Sequence, residues 1–255
     1  MPPMPALKTD SRQRRPTEII GRVLFGLFVA QWLFVWTRVC LEQRPFGSGR
    51  WPEALLLILT TATTLVTLSH EIPWQNVLVA SAIIALISIL SRRLALLTGI
   101  PSGFLADTGE PWPVPLVWLV ASLNARAIAR LLAARWRKSP SYGVWLMGLT
   151  ALLAAFFGLG WGSWEQSQPA LDSFRESLPA SLWWAFTALL ALIVATPWLI
   201  NKRPVEQPPE HQPLIIWLML NLLFVTAAAV QRRWIIVAVS LSGNLALTVL
   251  ARRRI

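Results

Sequence analysis

Hydrophobic and polar residues in this chain alternate in long blocks rather than with a short period. Apolar runs separated by short polar, glycine- or proline-containing segments recur from residue 19 to residue 250. A run of roughly 17–25 apolar residues is long enough to cross a bilayer as an α-helix. The pattern predicts eight such helices, at residues 19–40, 53–68, 74–90, 114–134, 143–161, 180–200, 214–230 and 234–250. Because the second and seventh runs are short, seven spans is the alternative.

Composition supports the same class of protein. Of the 255 residues, 55% are hydrophobic and only 14% are charged, whereas soluble domains are about 25% charged. Polar side chains are therefore too few to cover a soluble domain of this size. We predict an all-α, polytopic membrane helical bundle in which residues 19–255 form a single domain. Residues 1–18 are predicted to be a basic, proline-rich tail.

The net charge of +11 comes mainly from arginines and lysines at the ends of the apolar runs. This distribution is typical of the positive-inside rule and of contact with anionic lipid headgroups, and it does not form the basic face that nucleic acid requires. In an eight-span chain, most of these clusters fall on the side of the two termini. We therefore predict a bacterial inner (cytoplasmic) membrane protein with both termini cytoplasmic, although the pairs at 92–93 and 232–233 do not fit. Other membrane proteins are candidate partners.

Several classes of chemistry have no signal in the sequence. The single cysteine, Cys40, and the two separated histidines, His70 and His211, give no metal-ligand spacing. No lysine-containing phosphate-binding loop, HExxH motif or nucleophile elbow is present. We therefore predict no metal and no cofactor, and ATP-driven transport and hydrolysis have no support.

A glycine- and proline-rich connector at residues 98–113 carries two carboxylates, Asp107 and Glu110. Together with Glu71, these are the acidic groups closest to apolar segments. A carboxyl group buried beside hydrocarbon has a raised pKa and can serve as a general acid. The alternative is that they are solvated loop acids.

The fourth predicted helix carries Asn124, Arg126 and Arg130. An arginine within a span costs roughly 2.5–3.5 kcal/mol on insertion scales, so its presence points to a functional site. Arg126 and Arg130 share a helix face, because they are four residues apart. Two alternatives stay open. The spanning helix could end near Arg126, or Arg126 could pair with a carboxylate such as Glu71 and stabilise the bundle without catalysis.

The fifteen tryptophans fall into two groups. Some, including Trp161 and Trp184, lie at the ends of apolar runs and are predicted to form interfacial belts. Others, including Trp118 and Trp217, lie inside predicted helices. These tryptophans either line a pocket for a flat, conjugated or isoprenoid ligand or pack within the bundle.

Several segments resemble the bacterial and archaeal carotenoid-biosynthesis membrane protein family, which includes hydratases of bisanhydrobacterioruberin. TGIPSG at 98–103 is similar to the family's TG(I/F)PFG connector, and PVPLVW at 113–118 is similar to its Pro-x-Pro-Leu-x-Trp helix start. The segments at 123–153 and 196–204 also resemble one bacterial branch. The resemblance covers roughly residues 74–204. It implies acid-catalysed addition of water to a terminal double bond of a carotenoid or related isoprenoid.

The resemblance also implies roles for individual residues. Asp107 is the first candidate for the acid that protonates the alkene, and Glu110 is the second. Arg126 would tune that acid or hold the water, and it completes the predicted catalytic set. The residues that we assign to substrate binding lie in the connector or on neighbouring helices, and they are Glu71, Gly99, Pro101, Gly103, Trp118 and Asn124.

Two positions depart from the family pattern. Ser102 stands where the family has an aromatic residue, and Gly158 stands where an acid is expected. These departures favour a second hypothesis, a non-catalytic lipid- or pigment-binding membrane subunit derived from the same family. Whether the protein is an enzyme therefore stays open. A small-solute transporter is a third class, but it predicts an internal repeat that the chain lacks.

Overall fold

The computed structural model describes residues 16–42, 51–99, 112–165, 173–200 and 211–252. Within these ranges eight α-helices are long and apolar enough to cross a membrane, and a short 3-10 helix lies at Ala134–Trp136. The α-helices are α1 (Pro16–Glu42), α2 (Trp51–Glu71), α3 (Trp74–Thr98), α4 (Pro113–Leu132), α5 (Tyr142–Glu165), α6 (Ser173–Leu199), α7 (Gln212–Val230) and α8 (Trp234–Arg252). The prediction of a polytopic, all-α membrane bundle with eight spans is confirmed.

Some helices end later than the sequence pattern predicted. α3 continues beyond the pair at 92–93 to Thr98, and Gly99 then ends it at φ 69°, with its N–H donating to the carbonyl of Ala95. The predicted end of this helix at residue 90 is therefore too early. The run at 94–97 is apolar, so the helix continues past two arginines whose long side chains can reach outward.

α4 is the central helix of the bundle. It packs against α2, α3, α5 and α7, and most of its side chains are buried. Small buried residues such as Ala121, Ala125 and Ala129 let the neighbouring helices approach closely. By contrast, α1, α3 and α8 expose many large aliphatic side chains on their outer faces, which is the surface that lipid solvates. Polar groups on α4 therefore lie at the centre of an apolar assembly.

Aromatic rings fill the interior between α4, α5, α6 and α7. Trp118 stacks on Trp184 with ring centroids 4.2 Å apart, and Phe157 contacts Trp184 at 6.0 Å and Trp217 at 5.2 Å. All four rings are buried. Trp184, which was predicted to lie in an interfacial belt, is buried against other rings of the bundle. Trp161, predicted for the same belt, is also buried, and its ring contacts Phe224.

Two glycines of α5 make this ring packing feasible. A Cβ built on Gly158 would overlap the indole of Trp184, lying 2.7 Å from its Cδ2 atom. A Cβ on Gly160 would lie 2.7 Å from Cδ2 of Phe224. The acidic residue that the family pattern expects at position 158 would therefore displace Trp184.

Candidate functional site

The described residues of the predicted site do not all lie at the same end of the bundle. Successive spans run in opposite directions, so the last residues of α2, α4 and α6 share one end, which we name the Arg126 end. The opposite end, which we name the connector end, holds Gly99 at the end of α3 and Trp112 at the start of α4. Arg126 follows Pro113 by thirteen residues, which is about 20 Å along the axis at roughly 1.5 Å per residue. A contact between the connector and Arg126 would have to bridge that distance.

Arg126 is buried, with 6% of its surface exposed. α4 continues through it to Leu132, so the helix itself does not end at Arg126. Its Nη1 donates a hydrogen bond to the carbonyl of Leu199, the last residue of α6, at 3.0 Å. Its Nε is buried and has no hydrogen-bond partner within the described residues. The guanidinium therefore meets the negative end of a helix dipole rather than a carboxylate.

Glu71 pairs with Arg130, not with Arg126. Nη1 of Arg130 donates to Oε2 of Glu71 at 2.6 Å and thereby joins α4 to α2. The alternative in which Arg126 pairs with Glu71 is therefore wrong. The partner of Glu71 is Arg130, one helical turn further along α4. Arg130, Tyr142 and Glu71 are the ionisable neighbours of Arg126 in the described part of the chain. Within the described residues, one carboxylate therefore accompanies two guanidinium groups.

Asn124 also joins α4 to α2, about two turns deeper in the bundle than the pair of Arg130 and Glu71. Its Nδ2 donates to Oγ1 of Thr64 at 3.0 Å and to the carbonyl of Val120 at 2.8 Å. Its Oδ1 is buried and accepts no hydrogen bond from any described residue. Asn124 is therefore primarily a link between helices, with one acceptor left over.

Ser122 is a polar group that the sequence analysis missed. Its hydroxyl is buried and has no partner among the residues that the structure describes. Because Ser122 lies four residues before Arg126, the two side chains share a face of α4. That spacing was the available signal, but a lone serine in an apolar run carries little information before its neighbours are known.

The other predicted site residues that the structure describes, Gly99 and Trp118, lie away from Arg126. Gly99 is exposed at the end of α3, and Trp118 belongs to the buried ring cluster described above. Four residues lie outside the described ranges, and their predicted functions stay predictions; they are Pro101, Gly103, Asp107 and Glu110. The structure thus brings together Arg126, Arg130 and Glu71.

The chain matches no protein-family model, no curated protein and no solved structure. The resemblance to the carotenoid-biosynthesis membrane proteins therefore stays a prediction that depends on the sequence segments alone. The architecture is that of a polytopic helical membrane protein.

Proposed function

We propose that this protein is a non-catalytic membrane subunit that binds a lipid or isoprenoid ligand within its helical bundle. The supporting observation is the buried guanidinium of Arg126, which bonds to a backbone carbonyl and keeps an Nε–H without an acceptor in the described chain. A buried donor left without a partner costs about 1–3 kcal/mol, and more when it is charged. A ligand that accepts from this donor would offset that cost.

Hydration of a carotenoid, the activity that the resemblance implies, has less support from the geometry. It needs a protonated carboxyl group beside the substrate double bond. The carboxylate that neighbours Arg126 among the described side chains is Glu71, and it forms an ion pair with Arg130. Ligand binding needs no acid. It is therefore compatible with Gly158 at the position where the family pattern has an acidic residue.

The proposed orientation of the protein in the membrane is based on the positions of its basic residues. Exposed basic residues at the Arg126 end include Arg22, Arg137 and Lys138, and such residues favour the cytoplasmic side. We therefore place the Arg126 end at the cytoplasmic leaflet of a bacterial inner membrane. The ligand would reach Arg126 from that leaflet or between the helices.

Expression in a host that makes lycopene, followed by purification and chromatography of the extracted pigments and lipids, tests the proposal. We expect a hydrophobic molecule to co-purify at a fixed ratio to protein, and the lycopene of the host to stay unhydrated. The control is the same host without the protein. Hydroxylated lycopene that appears only with the protein would contradict a non-catalytic function, and Asp107→Asn would then test the acid. Recovery of bulk lipid alone, in proportion to detergent, would contradict ligand binding.

A further inference from the structure

We propose that the turn between α4 and α5 binds the headgroup of an anionic phospholipid, whose acyl chain lies along the outer face of α5. The site belongs to one short segment, residues 134–152, on the outer surface of the bundle. It is separate from Arg126, which is buried inside the bundle, and it does not depend on the ligand proposed for that residue. Three features support it, namely exposed positive charge, a pair of stacked indoles and an exposed apolar strip.

Arg137 and Lys138 supply the positive charge. Both side chains are exposed, and neither has a hydrogen-bond or ion-pair partner among the residues that the structure describes. The neighbouring sequence offers no acid, because residues 111–164 contain neither aspartate nor glutamate. We place this end of the bundle at the cytoplasmic leaflet, where anionic lipid headgroups attract such cations. An anionic headgroup therefore complements the charge of this turn.

Backbone hydrogen bonds hold the two cations in a tight turn. The N–H of Ser139 donates to the carbonyl of Trp136 at 2.8 Å, and the N–H of Tyr142 donates to the carbonyl of Ser139 at 3.1 Å. Arg137 and Lys138 lie within the first of these turns, with their Cα atoms about 3.8 Å apart as consecutive residues. Because both side chains are long and start from adjacent positions, they can contact the same headgroup.

Trp136 and Trp145 form the second part of the site. Their rings stack with centroids 5.3 Å apart and an interplanar angle of 18°, so the turn is attached to the first turn of α5. Trp145 is 50% exposed, and its indole N–H donates to no side chain or carbonyl of the described chain. Tryptophan favours the headgroup level of a bilayer, because its ring is apolar and its N–H is polar. The indole pair therefore marks the headgroup level beside the two cations.

The outer face of α5 continues from Trp145 towards the middle of the bilayer. Leu152 lies seven residues further on, about 10 Å along the helix and on the same face, and it is 65% exposed. Between them Gly148 is exposed, and nothing lies within 4 Å of a Cβ built on it. An acyl chain can therefore lie against this face while its headgroup contacts Arg137 and Lys138. A free phosphate ion would make no use of the apolar strip, so we assign a lipid.

Native mass spectrometry of the purified, full-length protein in a neutral detergent tests this site. The probes are dioleoyl phosphatidylglycerol, which is anionic, and dioleoyl phosphatidylcholine, which has the same acyl chains and a zwitterionic headgroup. We expect the first phosphatidylglycerol to bind at least about tenfold more tightly than phosphatidylcholine, which corresponds to roughly 1.4 kcal/mol. Equal affinity of the wild type for the two lipids would overturn the proposal.

Two double variants distinguish a local site from the general positive charge of the Arg126 end. Arg137→Gln combined with Lys138→Gln should abolish the preference for phosphatidylglycerol. Arg22→Gln combined with Arg252→Gln is the matched control, because it removes the same charge from exposed residues of α1 and α8 at the same end, and it should keep the preference. An equal loss in both double variants would show diffuse attraction only and would overturn the site.

Trp145→Ala tests the indole pair. It should weaken the binding of phosphatidylglycerol several-fold, because it removes the exposed ring that stacks on Trp136. Trp74→Ala is the matched control, since Trp74 is 47% exposed at the start of α3, at the same end of the bundle. Equal affinities of the two variants for phosphatidylglycerol would overturn the site as proposed.

The outcome at this surface site is distinguishable from the outcome at Arg126. The double variant of Arg137 and Lys138 should still co-purify with the hydrophobic molecule expected inside the bundle, because both altered residues are exposed. Loss of that molecule together with the phosphatidylglycerol preference would overturn a separate surface site. A wild type that prefers phosphatidylglycerol but co-purifies with no ligand would contradict the proposed function and leave the surface site supported.

Discussion

The indole of Trp184 lies between two neighbours, the ring of Trp118 on α4 and the backbone of Gly158 on α5. The ring centroids of Trp184 and Trp118 are only 4.2 Å apart, and Trp184 is fully buried, so it has little room to shift. The absence of a side chain at position 158 is therefore a packing requirement. This contact fixes how α4, α5 and α6 meet.

Gly158→Ala should therefore lower the stability of the protein. Its Cβ would lie 2.7 Å from Cδ2 of Trp184, and overpacking of this kind costs about 1–3 kcal/mol. Gly148→Ala is the matched control on the same helix, because nothing lies within 4 Å of its added Cβ. Thermal unfolding in detergent should show a lower midpoint for Gly158→Ala only; equal midpoints for the two variants would contradict the packing account.

At the level of single residues, the sequence predicted Arg126 because burying a guanidinium in a span is costly enough to be informative. It did not predict the positions of Trp184 or Ser122. A tryptophan near a run end is compatible with both an interface and a core, and only the burial of Trp184 against Trp118 identifies it as a core residue. The partner of Glu71 was missed by one turn, because Arg126 and Arg130 lie on the same helix face.

At the scale of helices, α1 is attached to α7 by two indole N–H groups. Nε1 of Trp32 donates to the carbonyl of Met219 at 2.8 Å, and Nε1 of Trp36 donates to Oγ1 of Thr226 at 3.0 Å. The two rings also stack, with centroids 5.7 Å apart. These bonds hold a helix whose outer face lies in lipid, where apolar contact alone gives little preference for protein over lipid.

A double-mutant cycle of Trp36→Phe and Thr226→Val measures the second of these bonds. We expect a coupling free energy of about 0.6 kcal/mol, which is the average for side-chain hydrogen bonds between membrane helices. Thr248→Val is the control partner, because its hydroxyl bonds to Asn244 of its own helix, and it should be additive with Trp36→Phe. If both cycles are additive, the hydrogen bond between Trp36 and Thr226 contributes nothing to the free energy of unfolding.

Helix number and type were predictable from the sequence, because span length is set by the thickness of the bilayer. Helix ends and helix faces were less predictable. α3 passes the arginine pair at 92–93 since those side chains can reach outward, and α5 passes its glycine-rich run to Glu165. Most helices are apolar on all sides, so the pattern could not show which face of α4 meets α6.

At the scale of the whole molecule, eight crossings put the first residue of α1 and the last residue of α8 on the same side. The pair at 232–233 disagreed with this orientation in the sequence analysis. Arg233 is buried in the turn between α7 and α8, and burial lowers the pKa of its guanidinium. Arg233 is therefore not a surface charge at the connector end, and its position no longer conflicts with the orientation that the other basic residues favour.

Cysteine labelling tests this orientation. In a Cys40→Ser background, Trp51→Cys reports on the connector end, because Trp51 is exposed at the start of α2. Ser141→Cys reports on the Arg126 end, just before α5. We expect a membrane-impermeant maleimide to label position 51 in intact spheroplasts and position 141 only after permeabilisation. Labelling of both from the same side would contradict eight crossings, and the reverse order would contradict a cytoplasmic Arg126 end.

The central claim is that a lipid or isoprenoid ligand binds within the bundle at the buried guanidinium of Arg126, and ligand-dependent thermal stability tests it most directly. A ligand present at about 100 times its dissociation constant stabilises the folded state by roughly 2.7 kcal/mol. We predict that adding back the molecule that co-purifies with the protein raises the unfolding midpoint of the delipidated wild type, and that Arg126→Gln loses the effect. No rise in the wild type, or an unchanged rise in Arg126→Gln, would contradict the claim.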